Sequence, residues 1–416
     1  MAMAGVNGCV VILVLMAHFC CSTWRVDGRI LEDSTLGLSE VDWHLEHEHV
    51  YLGSPSIVRL TDDRLVASHD YFGAGMHFAT PADYKVSVFG SSNQGVTWSF
   101  LANVSHMYWA NLFLSNGSLY LMGTASDGQG TGKNISHVSI ARSTDGGKTW
   151  TQPTYVFRGP YHTAPTPVLA LPDVDGGRIF RAIEYWKPPG SYGIDFYATV
   201  VSASMQCTDL TDASCWKITD TLQFNKSWIP SDWGQLVDPS WQEGNAIVTP
   251  DGKGIVNILR FNGPPVVNKA AVVDVHLSSG ALTFRQFISF PGGHTKFTIR
   301  RHPLSRTYWT LSNNVTNASY DGMRNVLTVA HSDDLITWHV CERRLLEDDT
   351  GFGFADSVRF TGFHYVDWQF DGMDGTDIIY AVRTSYRGAN TFHNSNRLTF
   401  KVLENFAGFC SESSPL

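Results

Sequence analysis

Charge is scarce in this sequence. Asp, Glu, Lys and Arg together make up 17% of its 416 residues, and the basic ones are scattered with no run among them. That argues against a nucleic-acid partner, which needs a basic stripe or tract. Cysteine pairs at C-x-x-C spacing are missing, and with them the usual signature of a structural zinc site. No nucleotide-binding or metal-ligand motif occurs, so neither a cofactor nor a metal is expected. Long apolar runs are missing too. After the first 22 residues none reaches the ~18 that would span a bilayer, so no stable membrane insertion is expected once those residues are removed. No long segment sustains helical periodicity.

What is present is apolar and aromatic. Apolar residues make up 43% and aromatics 12%, with 13 Trp, which is the composition of an ordered globular protein. Trp favours β structure and also forms platforms for sugar rings. The net charge is −9. An acidic protein holds an anionic ligand only through a local cluster of Arg, so individual Arg positions are informative.

Residues 1–22 read as a signal peptide. Val10 to Phe19 is apolar, and Cys20, Cys21 and Ser22 follow it. No Lys or Arg precedes the apolar run, so a signal anchor is the alternative. Removal leaves residues 23–416 as a single secreted domain with no linker or composition break. It also leaves four cysteines, Cys207, Cys215, Cys341 and Cys410, enough for two disulfides in any of three pairings. Cys207 with Cys215 would close a short loop, and Cys341 with Cys410 would tie back the C-terminal tail. Sequons at Asn103, Asn116, Asn134, Asn225, Asn314 and Asn317 agree with passage through the secretory path.

Short apolar or alternating runs fill the rest, among them Ser56–Leu60, Ile255–Leu259, Val326–Val329 and Ile378–Val382. Turn signals such as Ser115-Asn-Gly117 and Pro250-Asp-Gly252 separate them, which predicts an all-β fold. A repeat stands out. Ser143-Thr-Asp-Gly-Gly-Lys-Thr-Trp150 fits S-x-D-x-G-x-T-W throughout. Ser91 to Trp98 fits with Asn93 for the Asp, and Ser332 to Trp338 fits in a form one residue shorter. In such a hairpin the Asp accepts from turn N–H groups, Gly supplies positive φ and Trp plugs the turn from below. The copies begin 52 and 189 residues apart, the second gap being three periods of about 63, and the mature chain then holds about six four-stranded blades. The expected fold is a six-bladed β-propeller.

Asp-box repeats on such a chain resemble the sialidase superfamily, and the resemblance spans nearly the whole mature sequence. Glu243, in Trp241-Gln-Glu243-Gly-Asn, looks like the family's Glu ahead of a strand and a D-G turn. Arg260 follows 17 residues later, and Met323-Arg324-Asn-Val-Leu-Thr-Val329 is similar to the family's R-x-N-L-T-L run. These imply two members of an Arg triad that binds a carboxylate. Phe363-His-Tyr365 resembles the segment that supplies the catalytic Tyr. The resemblance implies a hydrolase that releases a terminal acidic sugar, sialic acid by analogy, from a glycan. Its chemistry is coherent. Arg grips a carboxylate with paired hydrogen bonds, and a phenol deprotonated by a Glu attacks where a carboxylate nucleophile would be repelled.

Two positions depart from the family. Gly53 stands where the first triad Arg belongs, with Arg59 nearby on the next strand positions. Phe72 stands where another Arg belongs, and no Asp falls where the acid/base Asp is expected. Asp70, His77 and Asp83 are the substitutes within reach, with Asp70 the first candidate for the acid/base role. His162, opening a new blade, is a further pocket candidate because imidazole is a natural acid or base. His69 and His364 read as packing or supporting groups. Lys296, after a Gly-rich turn, reads as a solvated surface residue. A uronic-acid polysaccharide lyase and a non-catalytic glycan-binding propeller are the competing functions.

Overall fold

The computed structural model describes residues 23–24, 30–31, 38–44, 48–78, 80–126 and 136–411. The expected signal peptide and the sequon at Asn134 lie outside the described residues. The chain divides into two compact units, Met1–Leu38 and Ser39–Leu416. In the first, the two-residue strands Thr23–Trp24 and Ile30–Leu31 pair antiparallel.

The second unit is a ring of six antiparallel sheets, a six-bladed β-propeller. From axis to rim, blade two runs Tyr108–Ser115, Ser118–Ala125, His137–Ser143 and Thr154–Phe157. Blade four (Ser240–Val248 to Leu282–Ser289) and blade five (Thr298–Arg301 to His339–Glu347) follow the same four-strand plan. In blade one the innermost strand is split into Tyr51–Leu52 and Ser56–Arg59. In blade three it is split into Tyr161–His162 and Leu169–Leu171. Blade six takes three strands from the end of the chain, Gly362–Asp371, Asp377–Ser385 and Arg397–Leu403. Its fourth, rim strand is Ser39–Trp43, which precedes blade one in the sequence.

Packing between blades explains the sequence pattern. Val58, Val66 and Val88 of blade one meet Leu112, Leu119 and Leu121 of blade two. Similar clusters join the next three blade pairs and the sixth blade to the first. A middle strand is therefore covered on both faces, and all eight residues of Ser118–Ala125 are buried. Rim strands such as Ser99–Ser105 are largely exposed and carry the polar residues.

The three Ser-x-Asp/Asn turns join the third and fourth strands of blades one, two and five, so the 189-residue gap does span three blades. They share one set of hydrogen bonds. Asp145 accepts from the N–H groups of Lys148 and Thr149, and Trp150 donates from its indole to the Gly147 carbonyl at 3.0 Å. Asn93 and Asp334 receive the matching N–H of Thr97 and Thr337, and Trp98 and Trp338 repeat the indole bond. The disulfides are Cys207–Cys215 and Cys341–Cys410. The second ties the short helix Phe406–Ser411 to the rim strand of blade five. Among the described residues no helix is long and apolar enough to cross a membrane.

Candidate active site

Three inner strands carry the same irregularity. In blades two, four and six the ladder slips so that two residues oppose one: Trp109 and Ala110 against Gly123, Glu243 and Gly244 against Leu259, Tyr365 and Val366 against Val382. The first residue of each bulge is left-handed, with φ of 52° at Trp109, 55° at Glu243 and 53° at Tyr365. A bulge re-aims a side chain, and a non-glycine residue held at positive φ costs ~1–3 kcal/mol. Gly244 must lack a side chain, because a Cβ there would stand 2.2 Å from Asn257 Oδ1. These bulges lie near the beginnings of the inner strands, at one mouth of the central channel.

There Tyr365 and Glu243 meet across 122 positions of sequence. The Tyr365 hydroxyl donates to Glu243 Oε1 at 2.6 Å, and Arg260 Nη1 donates to Glu243 Oε2 at 2.9 Å. Burial, the largest single influence, pushes the Glu243 carboxyl up. Arg260, His162 and the Tyr365 hydroxyl outweigh it, so the net shift is downward and Glu243 is a carboxylate. Burial and Glu243 push the Tyr365 phenol up, while Arg260, Arg324 and Arg383 pull it down.

The guanidiniums crowd the Tyr365 ring. Arg383 lies 5.0 Å and Arg324 5.9 Å from its centroid. Arg324 donates to His364 Nδ1 at 2.9 Å, and His364 Nε2 approaches Ser395 Oγ, which also accepts from Arg383 Nε at 3.2 Å. His364, fully buried, thus links two arginines as a supporting group. Among the described residues neither Arg324 nor Arg383 has a carboxylate hydrogen-bond partner. Burial, chiefly, lowers both to about 10, still cationic at neutral pH. Arg260 and Arg324 line a hollow of about 140 Å³ together with His294 and Gly322.

Asp70, His162, Glu243, Tyr365 and Arg383 line a neighbouring cavity of about 230 Å³. All six candidate residues therefore gather around the Tyr365–Glu243 pair, four in this cavity and Arg260 and Arg324 in the adjoining hollow. Asp70 is engaged. Its Oδ2 accepts from the Trp109 N–H at 2.7 Å and from Ser54 Oγ at 3.2 Å. A Cβ on Gly53 would stand 2.0 Å from Asp70 Oδ1, so a carboxylate fills the space in which an Arg at position 53 would begin. Phe72 lies 4.4 Å beneath Arg383. His162 Nδ1 pairs with Glu184 Oε2 at 2.9 Å, and Glu184 Oε1 accepts from the Gly244 N–H at 3.0 Å.

Other readings resolve as follows. Lys296 is not a surface residue: it is 2% exposed and donates to Thr298 Oγ1 and the Val366 carbonyl, both at 2.7 Å. Burial lowers its ammonium to about 8. The Gly-rich turn folds inward and carries it to the axis. Arg59 pairs with Asp371 and is not a pocket residue. His69 is buried, bonded to Asp42 and stacked on Phe89. His77 is exposed, and Asp83 accepts from Thr80 in its own turn. Arg383, Glu184, Trp109 and Tyr192 were not singled out from the sequence. The apolar run Ile378–Val382 stops one residue short of Arg383, and Glu184 sits inside the apolar strand Arg178–Trp186. A charge within a strand covered on both faces was the available signal. Among the described residues no group of three or more His, Cys, Asp or Glu is placed to hold a metal ion.

No protein-family model and no curated protein matches the chain. Solved structures do. An intramolecular trans-sialidase from Ruminococcus gnavus is 12% identical with a TM-score of 0.56, over 91% of this chain and 99% of that one. An α-L-arabinofuranosidase from Fusarium graminearum is 10% identical with a TM-score of 0.56, over 88% and 97%. A protein of unknown function from Dyadobacter fermentans is 14% identical with a TM-score of 0.55, over 89% and 99%. At these identities the likeness is one of fold: this chain has the six-bladed propeller architecture found in sialidases and arabinofuranosidases.

Proposed function

We propose that the protein is a secreted exo-glycosidase that releases a terminal acidic sugar, sialic acid by resemblance, from a glycan. The observation that carries this reading is the 2.6 Å hydrogen bond from the Tyr365 hydroxyl to Glu243, at the mouth of the channel. Glu243 takes the phenolic proton as Tyr365 attacks the anomeric carbon, forming a covalent glycosyl intermediate that water then resolves with retention. Arg260, Arg324 and Arg383 orient the sugar carboxylate. Among the described residues two of the three have no carboxylate hydrogen-bond partner, and a buried cation that no carboxylate bonds is stabilised by an anionic ligand. Arg383 takes the part of the Arg missing at position 53. The two disulfides suit an extracellular site of action.

The test is turnover of a fluorogenic sialoside and of uronate oligosaccharides by wild type and Tyr365→Phe. Release of sugar by wild type, reduced ~10²–10⁴-fold or more in the variant, supports the reading. Equal rates for the two proteins overturn it. An unsaturated product absorbing in the ultraviolet identifies a lyase, and glycan binding without product identifies a lectin.

A further inference from the structure

The proposed reaction needs a proton donor for the departing sugar oxygen. The Asp expected at that role is absent, and its substitute is occupied. Asp70 is 4% exposed, and its Oδ2 already accepts from a backbone N–H and a hydroxyl. A second ionisable group lines the same cavity and is held differently.

That group is His162. Its ring is stacked on Phe196 with centroids 4.7 Å apart and planes 18° apart, and Trp109 meets it edge-on at 4.9 Å. The rotamer is thus fixed from two sides. Nδ1 is committed to Glu184, a carboxylate with no exposed surface. Nε2 has no hydrogen-bond partner among the described residues, and the imidazole lines the cavity that holds Glu243 and Tyr365. A His whose Nδ1 proton is fixed by a buried carboxylate presents Nε2 as the nitrogen that exchanges protons with a substrate.

Glu184 does a second thing. Its other oxygen receives the N–H of Gly244, the residue after Glu243 inside the bulge. One carboxylate therefore sets both the imidazole and the backbone that aims the base of the Tyr365 pair. The charged and titratable groups around His162 include Glu184 from its partner strand, Tyr192 at 6.1 Å between ring centroids, and Asp70, Tyr84, Tyr108, Glu243, Tyr365, Arg383 and His393 in the shared cavity. Arg181 acts on Glu184 from the axis side.

Resting on the glycosidase reading above, we infer that His162 is the acid/base catalyst and that Glu184 is the residue that positions it. In the first half-reaction the Tyr365 oxygen bonds to the anomeric carbon and the glycosidic C–O bond breaks. The phenolic proton passes to Glu243, and the leaving oxygen takes a proton from protonated His162 Nε2. In the second, water attacks the anomeric carbon and gives a proton to the now neutral His162. The Tyr365–carbon bond breaks, and the phenolate recovers its proton from Glu243. One glycoside and one water give two hydroxyl products, with every group returned to its starting state.

Leaving-group dependence tests this, since a merely structural role would not produce it. A dinitrophenyl glycoside departs without a proton, whereas an alkyl glycoside cannot. His162→Ala is expected to lose ~10²–10⁴-fold on the alkyl glycoside while still forming the glycosyl intermediate from the dinitrophenyl one, and azide is expected to speed its release. Glu184→Gln is expected to shift the alkaline limb of the pH–rate profile. A His162→Ala variant that melts like wild type and forms the glycosyl intermediate with the same loss from both substrates, or with no loss from either, overturns the inference. So does an Asp70→Asn variant that shows the leaving-group selectivity instead. Tyr365→Phe loses both substrates alike. Inactivity of wild type on every acidic glycoside sinks the glycosidase reading and this inference together, whereas a leaving-group-blind His162 variant in an active background sinks the inference alone.

Discussion

The Tyr365 hydroxyl reaches Glu243 because two residues accept a backbone conformation that side chains normally avoid. The sequence made these residues legible as chemistry but not as geometry: nothing in Trp241-Gln-Glu243-Gly or Phe363-His-Tyr365 announces a bulge. The same holds for Gly53. Its departure from the family pattern was visible, but the carboxylate packed over it was not. Gly53→Ala is expected to push Asp70 off the Trp109 N–H and to lower stability by ~1–3 kcal/mol, the range for overpacking, as thermal melting would show. Arg383→Ala is expected to raise KM for an acidic substrate by roughly 10–100-fold, the worth of one or two charge-assisted hydrogen bonds, with a smaller change for a neutral analogue. The site histidines give a pH dependence. Burial, then Arg383, lowers His393 to about 4, and burial, then Arg260 and Arg324, lowers His294 to about 3. Between the ordinary imidazole value near 6.5 and those values the unfolded chain binds protons that the folded chain refuses. Stability is therefore expected to be full above that value and to fall as pH drops through this window, as denaturant titrations at stepped pH would reveal.

At the scale of elements, the hairpin turns were the most legible feature, because their signal is local. Eight consecutive residues contain donor, acceptor, glycine and plug. The bulges depend on the register between neighbouring strands, Trp109 against Gly123, Glu243 against Leu259 and Tyr365 against Val382, and left no such mark. The turn at Asp145 offers a clean measurement. Slight burial raises this carboxyl, but the bonds from Thr149, Ser143 and Lys148 outweigh it and bring it to about 2. Asp145→Ala is expected to cost about 1–2 kcal/mol, comparable to losing a helix cap. Asp145→Asn should be mild, since Asn93 already fills the equivalent position in blade one. The advantage of Asp over Asn is present above pH ~4 and should vanish as pH falls toward 2.

For the molecule as a whole, blade number followed from dividing chain length by the repeat period, and the number of disulfides from the count of cysteines, which left three pairings open. What neither could supply is how the ring is fastened. Cys341–Cys410 closes a separation of 69 residues and Cys207–Cys215 one of only 8. On loop-closure entropy their removal should cost about 4 and about 2.5 kcal/mol respectively, so the Cys341→Ser, Cys410→Ser double variant is expected to melt lower than its counterpart. The pocket draws on blades one, two, three, four and six, with Arg324 from blade five beside it. The sixth blade waits for Ser39–Trp43, among the first described residues of the propeller to be synthesised, to pair with Arg397–Leu403, among the last. During translation that early strand must remain unpaired until Arg397–Leu403 has emerged, so the rim of the sixth blade forms only after the strands of the other five have been made.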